Sequence, residues 1–321
     1  MTRAPRFPAS AAAAPLAASA ALAAVATLVL SGCATSPAAG DGKASGGATK
    51  VIRVVAAENF WGSVASQLGG RHVQVTSVID NPDADPHDYE PTASDARAVA
   101  AARYVIVNGA GYDTWADKLL AADPDGGRTE LKVGDLVGVG PGGNPHRWYS
   151  PADVHAVIER VTADYKKIDP ADAADFDALR TAFETKALGP YDGLVSAIKA
   201  AYGGTPIGAS ESVVGPLAEG LGLRVLTPYS FLTAISEGTD PTAHDKAVAD
   251  RQITAGRIKV YVYNSQNATP DVKRQVDEAK AAGIPVATVT ETLTPAGASF
   301  QDWQVRQLQG IKQALDRAAG K

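Results

Sequence analysis

Two of the five histidines in this 321-residue chain sit where an imidazole could do chemistry. His87 lies in Asn81-Pro82-Asp83-Ala84-Asp85-Pro86-His87-Asp88-Tyr89-Glu90-Pro91, a stretch stiffened by three prolines just after an apolar run. His146 lies in Pro141-Gly142-Gly143-Asn144-Pro145-His146-Arg147-Trp148-Tyr149-Ser150-Pro151, again held by prolines and by an aromatic pair. Stiff loops lower the entropy lost in placing a side chain at a site, and neutral imidazole is the commonest metal ligand in proteins. Most loop histidines do nothing, so it is the setting of these two that marks them as candidate ligands. The other three read as structural. His72 enters a strand beside polar residues and is expected on the surface. His155 flanks the helical stripe Val154, Val157, Ile158 and Val161 and is expected in solvent, and His244 sits at a helix start.

The elements that must carry these loops follow from periodicity. Short β-branched runs at 51–55, 73–79 and 104–107 predict strands of one sheet, and runs at 205–209, 224–226, 259–263 and 284–289 predict strands of a second. Helical patterns near 60–69, 92–102, 112–121, 151–167, 242–256, 270–282 and 300–318 alternate with them. This alternation predicts an α/β protein of two lobes with mainly parallel sheets. Ser150, Pro151 and Asp153 form a clear helix start, with a capping hydroxyl, a proline at the first position and an acid in the first turn. Residues 171–201 carry an almost unbroken helical pattern that Gly189-Pro190 should bend. They predict a long helical connector that lets the lobes move little. The expected domains are an N-terminal lobe at 51–170, the connector at 171–203 and a C-terminal lobe at 204–321, with the metal site in the cleft between lobes.

The ends and the charge set the compartment and exclude some partners. Arg3 and Arg6 precede an apolar stretch from Leu16 to Leu30, too short and too alanine-rich for a bilayer span and typical of a secretory signal. It ends in Leu30-Ser31-Gly32-Cys33, which resembles the lipobox of bacterial lipoproteins and implies a signal peptide over 1–32 and lipidation of Cys33. Cys33 is the only cysteine, so the body holds no internal disulfide. Residues 33–50 then read as the lipidated cysteine and a flexible Gly, Ser and Ala-rich tether. Removing the signal takes two of the 30 basic residues and none of the 35 acidic ones, which leaves a net charge of −7. That balance argues against nucleic acid. The expected protein is a monomer, exported and held by its lipid on the outer face of the cytoplasmic membrane.

Asp85-Pro86-His87-Asp88-Tyr89-Glu90-Pro91-Thr92 and Asn144-Pro145-His146-Arg147-Trp148 resemble the first two ligand segments of the zinc/manganese solute-binding lipoproteins of ABC importers, the cluster A-I or ZnuA-like family. Ala56-Ala57-Glu58-Asn59-Phe60-Trp61-Gly62 resembles the family's opening strand and turn. Tyr261-Val262-Tyr263-Asn264-Ser265-Gln266 and Gly283-Ile284-Pro285-Val286 resemble its C-terminal strands, and Thr290-Glu291-Thr292-Leu293 with Trp303 its closing segment. The resemblance implies two further ligands from the C-terminal lobe. Glu211, in Ala209-Ser210-Glu211-Ser212-Val213-Val214-Gly215, matches the third, and Glu291 matches the fourth. It also implies an ABC permease as partner and Zn²⁺ or Mn²⁺ as the transported ion. Two departures stand out. Pro216 replaces a frequent aromatic near Glu211, and the His-rich acidic loop of some zinc receptors is absent.

Position in the chain supports the same four residues. Glu211 and Glu291 each come directly after a predicted strand, and His87 follows one after a short loop. Open α/β sheets bind ligands outside the carboxyl ends of their strands. Two imidazoles and two carboxylates carry a charge of −2, which neutralises a divalent transition-metal ion, and affinity should weaken as pH falls through about 6.5 because both imidazoles must be deprotonated. The shell suits Mn²⁺, Fe²⁺ and Zn²⁺ alike. A metallohydrolase is the enzymatic alternative, but no separate base accompanies these motifs and four ligands leave little room for substrate, so the chain is read as no enzyme. A metal-binding surface adhesin is the other alternative.

Overall fold

The computed structural model describes residues 51–82, 89–267 and 269–321. His87 and Cys33 therefore lie outside the described residues. Two four-stranded parallel sheets organise the rest. The first holds β1 (Ile52–Glu58), β2 (Val73–Ile79), β3 (Tyr104–Val107) and β4 (Thr129–Lys132) in the order β2-β1-β3-β4. The second holds β5 (Pro206–Ala209), β6 (Arg224–Val225), β7 (Val260–Asn264) and β8 (Val286–Val289) in the order β6-β5-β7-β8. The central strands β1, β3 and β7 are nearly continuous buried runs, as strands covered on both faces must be. β4, Thr-Glu-Leu-Lys, escaped the sequence reading because it is a short edge strand with one fully buried side chain, Leu131.

The lobes repeat one topology. Ala56 pairs with Ile106 in the first sheet, and Ala209 pairs with Val262 in the second. Two residues further on, the same registers set Glu58 opposite Asn108 and Glu211 opposite Asn264. Both positions are switch points, where the chain leaves adjacent strands in opposite directions and opens a crevice at their carboxyl ends.

Helices close the layers. In the first lobe these are α1 (Asn59–Gly69), α2 (Ala93–Ala101), α3 (Thr114–Ala122), the single turn α4 (Val133–Leu136) and α5 (Pro151–Ile168). Ser150 caps α5 by accepting the Asp153 amide, and Pro151 occupies the first turn. The connector consists of α6 (Ala173–Ala182), one wider turn over Phe183–Ala187, and α7 (Gly189–Tyr202). Pro190 falls in the first turn of α7, where its missing N–H costs nothing, so the bend lies just before it. The second lobe carries α8 (Val214–Gly220), α9 (Tyr229–Ser236), α10 (Ala243–Thr254), α11 (Pro270–Ala281) and the long α12 (Phe300–Ala318). Pro216 sits inside the first turn of α8, which accommodates it for the same reason.

The lobes share a core. One contiguous set of buried side chains runs from Ile52 in β1 through Trp148 and Tyr149 to Leu217, Val260 and Leu315. α12 crosses from its own sheet to the first lobe, where Phe300 stacks near Trp61 with centroids 6.5 Å apart. Gly220 marks a close approach between lobes, because a Cβ there would stand 2.4 Å from Pro151 Cδ.

Candidate metal centre

Three of the four residues singled out as ligands come together. His146, Glu211 and Glu291 are all buried, and one ligand atom from each lies within 4.8 Å of the others. The fourth, His87, falls outside the described residues. Its flank is placed, since Pro82 accepts a hydrogen bond from Gln266 Nε2 beside the Glu291 segment.

Each side chain is aimed by identifiable neighbours. His146 follows a rigid Asn-Pro step, and its Nδ1 lies 2.9 Å from Asn144 Oδ1. An amide oxygen accepts only, so Nδ1 carries the proton and the lone pair resides on Nε2. Nε2 lies 3.8 Å from Glu291 Oε2. Asn144 in turn donates from Nδ2 to the Ser212 carbonyl in the second lobe, at 2.7 Å. Glu211 lies in the bend between β5 and α8. Asn264, at the end of the neighbouring β7, donates from Nδ2 to both Glu211 Oε1 and Glu291 Oε1, each at 2.8 Å. Tyr112, from the loop after β3, donates its hydroxyl to Glu291 Oε2 at 2.8 Å. One amide and one phenol thus hold the two carboxylates side by side.

That arrangement is costly without a cation. Burial pushes the Glu211 carboxyl well above the ordinary carboxylate range, and the nearby Glu291 charge pushes it further, while Asn264 and Asn267 pull it back. Among the described residues, none donates a hydrogen bond to the buried Glu211 Oε2. A divalent ion among these oxygens and the imidazole nitrogen would relieve both the repulsion and the lost hydration.

A second cluster corrects the reading of His72. Its ring is buried, not on the surface, with Nδ1 2.7 Å from Asp172 and Nε2 3.0 Å from Asp175. The carboxylates stand on opposite ring nitrogens, and Asp175 also pairs with Arg71. The cluster is a clamp tying the start of β2 to the connector. His155 is partly exposed and pairs with Asp192 at 3.0 Å, and His244 lies exposed in the first turn of α10.

With the geometry described, the relatives of the chain can be set beside it. The sequence profile of the family described as zinc-uptake complex component A, periplasmic (ZnuA), matches residues 54–314. The chain belongs to the ZnuA family. It is 24% identical over 264 residues to the zinc-binding lipoprotein AdcA of Streptococcus pneumoniae, covering 73% of this chain and 50% of AdcA. It is 30% identical over 159 residues to the manganese-binding lipoprotein MntA of Bacillus subtilis, covering 47% of this chain and 49% of MntA. The chain thus spans about half the length of the curated relatives it matches. In structure it resembles the Mn-bound periplasmic metal-binding protein of Candidatus Liberibacter asiaticus (S38A mutant), with a TM-score of 0.70 over 82% of this chain and 99% of that one at 20% identity. The two-lobed parallel α/β architecture is therefore the fold of this ZnuA-family chain.

Sequence reasoning missed the residues that aim the candidate ligands. Asn264 could have been found, since a polar side chain ending the apolar run Val260-Tyr261-Val262 asks for a purpose. Asn144 stood in the His146 segment but was read only as part of it. Tyr112 gave no signal, because its role exists only once the loop after β3 meets the second lobe.

Proposed function

We propose that this protein is an extracytoplasmic receptor that captures one divalent transition-metal ion, Zn²⁺ or Mn²⁺, and delivers it to an ABC importer permease. The reading rests on one observation above others: the buried cluster of His146, Glu211 and Glu291, whose ligand atoms lie within 4.8 Å of one another. His87 supplies the fourth ligand in this proposal. The ion is cargo, bound through His146 Nε2 and the two carboxylates, and catalysis plays no part. Membership of the ZnuA family and relatives named for zinc and manganese support the substrate class. Among the described residues no helix is long and apolar enough to cross a membrane, which fits a body tethered through a lipid on Cys33.

The chain's own groups account for capture. In the empty site Asn264 and Tyr112 keep the two acids close, so the unfavourable electrostatics are built in before the ion arrives. The ion neutralises them, and its release into the permease must restore them. The shared core predicts that capture orders side chains and loops more than it swings lobes. Nitrogen and oxygen donors favour Zn²⁺ over Mn²⁺ in intrinsic affinity, so direct competition should retain Zn²⁺. Elemental analysis of the purified chain should give one equivalent of metal, and His146→Ala, Glu291→Ala and His87→Ala should each abolish it. Stoichiometric metal retained in all three variants would remove this site.

A further inference from the structure

The Glu291 loop is held by an arrangement that its ligand role does not require. Three consecutive backbone amides, Thr290, Glu291 and Thr292, are accepted by two glutamine side chains. Gln307 Oε1, from α12, takes the Thr290 N–H at 2.7 Å. Gln266 Oε1, just past β7, takes the Glu291 N–H at 2.6 Å and the Thr292 N–H at 3.1 Å. Gln266 is itself fixed, because its own amide donates to Asn264 Oδ1 at 3.0 Å. Asn264 is the residue that holds both candidate carboxylates.

Each glutamine also reaches the first lobe. Gln266 Nε2 donates to the carbonyl of Pro82, which leads into the His87 segment, and to Thr292 Oγ1 at 2.7 Å. Tyr149, three residues beyond His146, directs its buried hydroxyl at Gln307 Oε1 and the Thr290 carbonyl, 2.7 and 2.6 Å away. A hydroxyl has one proton, so it donates to one of these oxygens at a time, and either choice joins the two loops. Both glutamines thus bind the Glu291 segment on one side and the flank of a first-lobe histidine loop on the other.

We propose that Gln266 and Gln307 are positioning residues that lock the Glu291 carboxylate in register with the His146 loop and with Pro82, so that the site is held across the lobe boundary before the ion arrives. The inference rests on the metal reading above and adds how Glu291 is held in place against the first lobe. Its physical basis is that backbone amides shielded from water must be paired. Removing a glutamine carbonyl frees the strip to move and leaves one or two N–H groups orphaned. Outer hydrogen-bond partners of metal ligands set affinity in this way, at about 10- to 100-fold each.

The test uses the full chain, with Zn²⁺ and Mn²⁺ each titrated against a competing chelator. Gln266→Leu and Gln307→Leu should each weaken binding of both ions by about 10- to 100-fold. Gln275→Leu is the control, since Gln275 is a buried glutamine that hydrogen-bonds Tyr261 and Asp250 away from the site. It should lower the melting temperature of the metal-free chain and leave affinity within about twofold, the spread of independent positions. Both site variants should show this loss of affinity at temperatures well below their own metal-free melting transitions, where Gln275→Leu shows none. Where a leucine variant fails to fold, Tyr149→Phe removes a single hydroxyl and should cost about tenfold. Unchanged affinity in the variants of a metal-binding chain overturns the cradle alone, as does a loss of the same size in Gln275→Leu. A wild-type chain that binds neither ion overturns the metal reading and the cradle with it.

Discussion

Burying a carboxylate beside another carboxylate is unfavourable, and this molecule does it at two places. At the candidate metal centre Glu211 faces Glu291. In the first lobe the topologically equivalent Glu58 is fully buried beside Asp113. Burial holds Glu58 well above the ordinary glutamate range, and the adjacent Asp113 charge adds to this. Asp113 is pushed up to about 6, chiefly by burial, although the Asn108 and Gly109 amides that it accepts pull it down. Acids whose folded values are raised bind more protons folded than unfolded. Their favourable contribution is complete below about 4 and is lost as pH rises through the folded values. Glu58→Gln should therefore flatten the fall in melting temperature of the metal-free chain between about pH 4 and 7, and stabilise it most at the alkaline end. A variant curve parallel to wild type would show that Glu58 does not titrate. At the candidate metal centre, Asn144→Ala should weaken metal binding about 10- to 100-fold, since it releases the His146 ring and its tautomer. Unchanged affinity in that variant would remove Asn144 from the site.

At the scale of elements, the loops after parallel strands supply the chemistry and the helices supply the rigidity. His146 reaches the cleft because Trp148 is fixed behind it, stacked on Phe60 of α1 with centroids 3.9 Å apart and in contact with Tyr112. Trp148→Ala should cost about 3–5 kcal/mol in chemical denaturation, the usual cost of deleting a buried aromatic. A much smaller loss would mean that the contact is dispensable. Gly220 gives a test of opposite sign to helix propensity. Alanine normally stabilises a helix relative to glycine, but here its methyl would meet the rigid Pro151 ring at 2.4 Å. Gly220→Ala should lower stability by about 1–3 kcal/mol, and a gain would show that the lobes separate easily along this seam.

At the scale of the whole molecule, a core shared across both sheets means that neither lobe can lose its packing alone. Calorimetry of the metal-free chain should show a single transition with matching calorimetric and van't Hoff enthalpies. Two resolved transitions would contradict the shared core. Metal at about 1,000 times its dissociation constant should add about 4 kcal/mol to the folded state, seen as an upward shift of that same transition.

The division between what the sequence determined and what folding decided follows from range. Alternating β-branched and helical runs specify two parallel α/β lobes because strand and helix periods are local properties of the chain, and His87, His146, Glu211 and Glu291 could be singled out because each lies in a stiff segment or directly after a strand. The edge strand β4 has one buried side chain, and the helices α8 and α9 span only 7 and 8 residues, too short for their period to register. His72 was misread for a different reason. A histidine beside polar neighbours looks solvated until Asp172 and Asp175, a hundred residues away, arrive on both sides of its ring. Tyr112, Asn264, Gln266 and Gln307 belong to the same class. Their deciding partners lie 17 to 184 residues away, so hydrogen bonds that exist only once the chain has folded decide what these residues do, and no window of neighbouring residues contains that information.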